Sequence, residues 1–333
     1  MAVKASVKRA VAWGLLRSGA LSFHHARFER GRAILLLYHR VNDERDPFFP
    51  AMPGAVFTAQ LEYLSAHYRV DTLDAVLDWL AYGAPGPPRV AITFDDGYPD
   101  THDVVLPALE RVGVPATLFL STGPPETGAP LWTDRVRALV KHAHVKELVA
   151  PGTGLPPLPL GSPAARLQAL AALLARMKRL PPAVLDGTLA ELERSLANGG
   201  RMPGVLDWGR IRRMARGHLT LGAHTHRHYL LSTLTDEQIQ AEIATSVRLI
   251  QSRVGVKVTT FAYPNGQPGD YDQRAVRALR ALGLRGALTS SHGFAHPEQD
   301  RYELSRIYTT APTLPLFAAR AAGLGSDTRA VRA

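Results

Sequence analysis

The chain has 333 residues, 46% of them hydrophobic and 20% charged, the composition of an ordinary globular protein with one large domain or two small ones. It contains no cysteine, so disulfides and thiolate metal sites are excluded, and any metal must be held by His, Asp or Glu. The net charge of +10 is uneven: eight basic residues against Glu29 alone give residues 1–40 a charge of +7, which argues against a nucleic-acid-binding body for the remainder. No apolar run approaches the roughly 18 residues of a membrane span.

In chain order, residues 1–32 read as a basic amphipathic helix. Val3, Val7, Val11 and Leu15 recur at i, i+4 spacing among lysines and arginines, which suits the surface of an anionic membrane. A helix packed on the domain and a signal peptide are the alternatives, although Arg17 interrupts the short apolar core a signal peptide would need. The expectation is a cytoplasmic protein, peripheral at the inner face of the membrane. The domain proper spans 33–312, followed by a C-terminal helix and tail at 313–333. Its first strand is the apolar run 33–37, and it ends in Tyr38-His39-Arg40; a single His after a strand is ordinarily structural. Thr58 and Thr72 are helix-start signals before 60–67 and 73–82. A Gly/Pro connector at 83–88 leads into a buried strand over 90–94.

That strand ends in Asp95-Asp96-Gly97. Neighbouring strand residues point to opposite faces, so the two carboxylates serve different tasks, one facing a metal and the other a substrate or water. The plainer alternative is that Asp95 or Asp96 caps a helix ending at 112. A strand at 116–120 follows. A helical insertion is expected at about 133–206, loop-like over 150–163 and helical over 164–198 with a break at Pro181-Pro182. Beyond it come a helix capped by Asp207, a strand at 219–222 and a capping box, Thr235 to Gln238, opening a helix to about Val254. The chain closes with strand 259–262, helix 273–282, and strands 286–288 and 303–307. Repeated alternation of strand and helix predicts a barrel-like α/β fold with its chemistry at the C-terminal strand ends.

The strand at 219–222 runs into Ala223-His224-Thr225-His226-Arg227-His228. Three histidines in five residues are unusual for a solvated loop. Two histidines and a carboxylate from another strand end would make a three-ligand site with a position left for water, the layout of a catalytic metal.

These residues carry a resemblance. Thr93-Phe94-Asp95-Asp96-Gly97, His224-Thr225-His226-Arg227-His228 and, more loosely, Phe261-Ala262-Tyr263-Pro264-Asn265-Gly266 resemble the motifs of the polysaccharide deacetylases, the NodB-homology domain of carbohydrate esterase family 4. The likeness runs from about residue 34 to 307. It implies a distorted (β/α)7 barrel, metal binding by Asp96, His224 and His228, and Asp95 as general base. The family's third motif usually supplies an Arg that holds the base; here Ala262 stands there, and Arg306 is the substitute candidate. The family's late Leu-x-His motif, which supplies the general acid, has no clear match near the C-terminus. Leu37-Tyr38-His39 has that form near the start, as in circularly permuted members, which makes His39 the candidate acid and His292 or His296 the fallback. Tyr98, Trp132, Pro264 and Asn265 are candidates to line a sugar groove. Zn²⁺ is the implied metal, with Co²⁺, Ni²⁺ or Mn²⁺ as alternatives. The implied activity is removal of N-acetyl groups from an amino-sugar glycan. Alternatives are a deacylase or deformylase of a lipid-linked amino sugar, suited to a membrane-attached segment at 1–32, and a glycan-binding module whose site has decayed.

Overall fold

The computed structural model describes residues 31–83, 86–196, 202–310 and 313–324. The basic helix expected at 1–32 therefore lies, except for its last two residues, outside the described residues, as does the tail beyond 324. Among the described residues no helix is long and apolar enough to cross a membrane.

Seven parallel strands close into a barrel: β1 (Ala33–Tyr38), β2 (Arg89–Phe94), β3 (Ala116–Leu120), β4 (Leu219–Ala223), β5 (Thr260–Ala262), β6 (Gly286–His292) and β7 (Leu304–Tyr308). Strand β1 closes the ring. It pairs with β2 from Ala33↔Arg89 to Tyr38↔Phe94, and with β7 at Leu36↔Ile307 and Leu37↔Tyr308. The barrel is distorted on the side of β5, which has three residues, and of β6, whose register against β7 shifts between Leu304 and Arg306.

The fold follows from side-chain alternation. Ala33, Leu35, Ala91, Phe119, Ala262, Leu288 and Leu304 form a cluster of their own together with Leu73, Val76, Leu77 and Leu80. These strand residues fill the barrel's interior, and the helix Leu73–Ala81 closes its lower end. The alternate residues, Ile34, Leu36, Val90, Ile92, Leu118 and Ile307, pack outward in the larger cluster beneath the surrounding helices. Both faces are apolar, so the strands read as unbroken hydrophobic runs, as expected of a covered parallel sheet.

The outer layer includes α1 (Gly54–His67), α2 (Leu73–Ala81), α3 (Leu106–Val112), α4 (Trp132–His142), α5 (Pro163–Met177), α6 (Pro182–Leu196), α7 (Trp208–Met214), α8 (Asp236–Val254), α9 (Gln273–Ala281) and α10 (Leu314–Ala321), with a further short helical turn at Gly123–Thr127. The capping signals hold at Thr72, Asp207 and Thr235, the last with both hydrogen bonds of a capping box. Three boundaries differ from expectation. Helix α1 begins four residues before Thr58, capped by Pro53, and Thr58 instead accepts a hydrogen bond from Arg111. The segment Thr101–Val105 is a π-turn preceding α3. Strand β6 continues to His292, because the polar Thr289 and Ser290 are buried and hydrogen-bonded to neighbouring strand and loop. Helices α4 to α6 lie between β3 and β4, and α4 packs against both α5 and α6.

Candidate active site

The inward row of β2, Ala91 and Thr93, continues to Asp95. That of β7, Leu304, continues to Arg306. The two rows meet inside the barrel's upper end, where Arg306 Nη1 and Nη2 donate to Asp95 Oδ1 and Oδ2, each at 2.7 Å. Both residues are buried, and the guanidinium is held further by Thr289 O at 2.7 Å and Thr93 Oγ1 at 3.3 Å. Burial alone would push the Asp95 carboxyl up; the Arg306 charge and hydrogen bonds, together with the charges of His224 and His39, outweigh it and hold the group below its usual range.

Asp96 turns the other way. Its backbone is left-handed, with φ 76°, and Gly97 follows at φ 94°. A Cβ on Gly97 would sit 2.4 Å from Leu120 Cδ1, so only glycine fits this turn. The turn brings Asp96 Oδ1 to 3.3 Å from His224 Nε2 and 3.2 Å from His228 Nε2. All three donor atoms lie within 4.8 Å of one another. Neither Asp95 nor Asp96 caps the following helix.

Do these three residues suit a cation? His224 Nδ1 lies 2.7 Å from the Ala262 carbonyl, which assigns its proton to Nδ1 and leaves the Nε2 lone pair facing Asp96. Asp96 Oδ1 is buried without a hydrogen bond of acceptable geometry, although both imidazoles are in ion-pair range. Three donors converging on one point, with the Asp96 oxygen left without a well-formed hydrogen bond, fit a divalent metal. Against its burial, the histidines hold the Asp96 carboxyl well below the carboxylate range, with His228 contributing most. Burial pushes His228 down, whereas the two aspartates overcome burial at His224 and raise it.

The histidine loop is built, not merely placed. Thr225 and His228 are left-handed at φ 61° each, and Asn265, in the turn after β5, at φ 60°. With Asp96, these account for four of the five positive-φ non-glycine residues among those described, and such strain collects where a site needs it. Glu242, buried on α8, accepts from the backbone N–H of His226 at 3.0 Å and of Arg227 at 2.7 Å, and pairs with Arg227 Nε at 2.8 Å. Ser121 donates to the His224 carbonyl at 2.8 Å, and Trp132 Nε1 to that of His228 at 3.1 Å. His226, between the two converging histidines, points away to Thr122 Oγ1 at 3.0 Å.

His39 lies one residue past β1, in line with the inward row, and is exposed at the barrel mouth. Its charge acts on both Asp95 and Asp96. The chain just after it is tied down by Asp100, which accepts from Val41 N at 3.2 Å and Asn42 Nδ2 at 3.0 Å. His292 stacks on Tyr308 at 5.9 Å between centroids. His296 is at the opposite end of the barrel, because Ala295 bridges Ala33 at the start of β1. That end also carries a cleft of about 550 Å³ between α2 and residues 296–302, remote from the carboxylates.

A family model for polysaccharide deacetylases matches residues 82–152 and 185–287. The chain belongs to the polysaccharide deacetylase family. A Bacillus subtilis (strain 168) protein, YxkH, whose name places it in the same family, is 20% identical over 275 residues, 82% of this chain and 70% of that one. Chitin deacetylase 1 of Cryptococcus neoformans var. grubii is 39% identical over 77 residues, 23% of this chain and 15% of that protein. Among solved structures, the Streptococcus pyogenes deacetylase PplD in complex with acetate superposes with a TM-score of 0.59 at 16% identity, covering 87% of this chain and 97% of that one. IcaB from Ammonifex degensii gives 0.57 at 20% identity, covering 86% and 97%. At such identities the superpositions speak for the fold alone.

The residues expected to line a sugar groove divide. Tyr98 is half-buried beside Asp96, its hydroxyl 3.5 Å from Asp134 and its ring 4.7 Å beneath the Arg40 guanidinium. Asn265 is half-buried at the rim. Pro264 is buried, and Trp132, 6% exposed, braces the His228 loop. Several residues escaped the sequence reading. Asp134, buried beneath Tyr98, is pushed up to about 6 by burial and by Asp96. Glu242 reads in sequence as one more charge on an amphipathic helix. Lys178 comes from the insertion and hydrogen-bonds Asn265 Oδ1 at 2.9 Å.

Proposed function

We propose that the protein hydrolyses the N-acetyl group of an amino-sugar glycan and needs a divalent metal to do so. One observation carries the reading: the Asp96, His224 and His228 donors converge beside a second carboxylate, Asp95, that an Arg holds apart from them. Zn²⁺ is the preferred ion, and the same donors accept Co²⁺, Ni²⁺ or Mn²⁺. Bound there, the ion would supply Lewis acidity, making water a nucleophile near neutral pH and polarising the acetamide carbonyl.

The chain's own residues supply the rest. Asp95, kept ionised by Arg306, takes the water's proton as general base. Arg306 also fixes the carboxylate's rotamer, so the base does not swing toward the histidines. The Tyr98 backbone N–H, two residues past Asp96, donates to the developing oxyanion. His39, across the mouth, delivers a proton to the departing amine. Tyr98 and Asn265 flank the sugar, while Trp132 and Pro264 shape the wall behind them.

The test is acetate release from N-acetylated oligosaccharides by metal-loaded protein, with Asp95→Asn and a chelated sample as controls. Acetate should appear with the native protein and fall by two orders of magnitude or more in both controls, on the scale of a lost general base. Release that persists undiminished after chelation and in Asp95→Asn would sink the proposal.

A further inference from the structure

Lys178 differs from every arginine around the site. Arg306 faces Asp95 at 2.7 Å, Arg179 faces Asp270 at 2.9 Å, Arg40 faces Asp100 at 3.7 Å, and Arg137 faces Asp134 at 4.0 Å. Among the described residues, no carboxylate lies within ion-pair distance of Lys178. Its one hydrogen bond is to the neutral amide oxygen of Asn265 at 2.9 Å.

That contact is constructed. Asn265 is held left-handed, and its amide nitrogen is fixed by Asp270, which orients the oxygen toward Lys178. The next residue, Arg179, docks on the same turn through Gly269 O at 3.0 Å and Asp270 Oδ1 at 2.9 Å. Together they pin the C-terminal end of α5 across the turn after β5. Lys178 is half-buried there, and its charge acts on Asp96 and His228. Residues 153–184, which include it, fall between the two segments that match the family model, so this cation belongs to the insertion of this chain.

A half-buried ammonium with no carboxylate in ion-pair range, offset only by the more distant charges of Asp270 and Asp96, keeps an unused capacity to pair with an anion. We propose that Lys178 binds an anionic group of the substrate, a carboxylate or phosphate ester on or next to the acetylated sugar. The favoured glycan is thus acidic, with its charge close to the scissile acetamide. The inference rests on the deacetylase reading for its substrate.

A hydrogen bond to a charged group is worth roughly a ten- to hundredfold change in affinity. The experiment compares matched N-acetylated oligosaccharides: neutral, bearing a uronic carboxylate, and bearing a phosphate ester. Binding by calorimetry and acetate release are measured in parallel on the full chain. Native protein should favour an anionic member over the neutral one by about that factor, and the carboxylate and phosphate arms identify which anion. In Lys178→Met the ratio should collapse toward one, and Lys178→Arg should restore most of it. Binding preference that is Lys178-dependent without acetate release would overturn the reaction while leaving this assignment intact. Equal use of neutral and anionic members by native protein, or an unchanged ratio in a folded Lys178→Met, would overturn the assignment while leaving the reaction intact.

Discussion

Arg306 and Asp95 stand 211 residues apart in sequence and share two parallel hydrogen bonds of 2.7 Å inside the barrel. The fork geometry fixes both carboxylate oxygens at once, and both side chains are buried, so neither partner has water to fall back on. Replacing Arg306 with Met should cost on the order of 3–5 kcal/mol of stability at neutral pH, the usual penalty for stranding a buried charge. The base should change too. Asp95 is held low chiefly by this Arg against its burial, so losing the cation raises its pKa. The acid limb of the kcat/KM profile, which reports the base, should then move to higher pH. An unmoved limb in a variant that still folds would show that another group is the base.

A cation that binds the folded state alone stabilises it by mass action, by about 2.7 kcal/mol at a hundred times its Kd. Thermal melts with and without Zn²⁺ should therefore separate for the native protein. They should coincide for Asp96→Asn and His228→Ala. A metal-dependent shift that survives both substitutions would place the ion elsewhere.

Glu242 makes a narrower case. Its carboxylate satisfies two backbone N–H groups between the converging histidines and anchors Arg227. Outer partners of this sort typically carry 10–100-fold of metal affinity. Glu242→Ala should lower Zn²⁺ affinity by about that factor, with the three donors unchanged in identity. Titration against a competing chelator gives the number, and native affinity in the variant would reduce Glu242 to a packing residue.

The sequence made the barrel legible because its signals are local. Strands buried on both faces leave apolar runs, and Thr72, Asp207 and Thr235 announce helix starts that the structure keeps. Period two also contained the Arg306 contact in principle, since 91-93-95 and 304-306 are both inward rows. Ala262 on β5 presents only a methyl to that interior, and Arg306 enters from another strand. What stayed hidden was long-range docking. Nothing near Lys178 in sequence marks it as lying at the mouth, because the contact depends on how α5 crosses the turn after β5. Glu242 was hidden for a similar reason: a buried carboxylate on a helix looks like a solvated one until its acceptors are found. Trp132, named from sequence as a candidate for the sugar groove, is buried and braces the histidine loop.

Asp100 offers a pH test of the loop behind His39. Burial pushes its carboxyl up to about 6, despite the hydrogen bonds from Asn42 and Val41 and the nearby Arg40. Its ordinary value is 3.8, so between the two the folded state keeps a proton that the unfolded chain releases. The associated stability is complete below the lower value and is lost as pH rises through the upper one. Asp100→Asn cannot ionise and escapes this loss. Relative to native protein it should gain stability from about pH 4 to about pH 7, by at most about 3 kcal/mol. Denaturant melts at both ends of that window measure the difference, and a difference independent of pH would remove Asp100 from the account.

The proposed general acid can be tested by the chemistry of the leaving group. His39 extends the inward row of β1, which lies between β2 with its two aspartates and β7 with Arg306. From there its charge reaches both carboxylates. An amine is a poor leaving group and needs a proton as the C–N bond breaks, whereas an activated aryl ester departs without one. A positioned general acid contributes typically about 10²–10⁴-fold. His39→Ala should therefore lower kcat by that order on N-acetylated sugars and far less on aryl acetates. Metal content should stay as in the native protein, because the donors are untouched, and the acid limb of the pH profile should move up only slightly, because the Arg306 charge outweighs that of His39 in lowering Asp95. Equal loss on both substrates would mean that His39 positions the substrate, while near-native activity on the amide would move the proton donor to His292, which ends β6 at the C-terminal side of the barrel, whereas His296 lies at the opposite end.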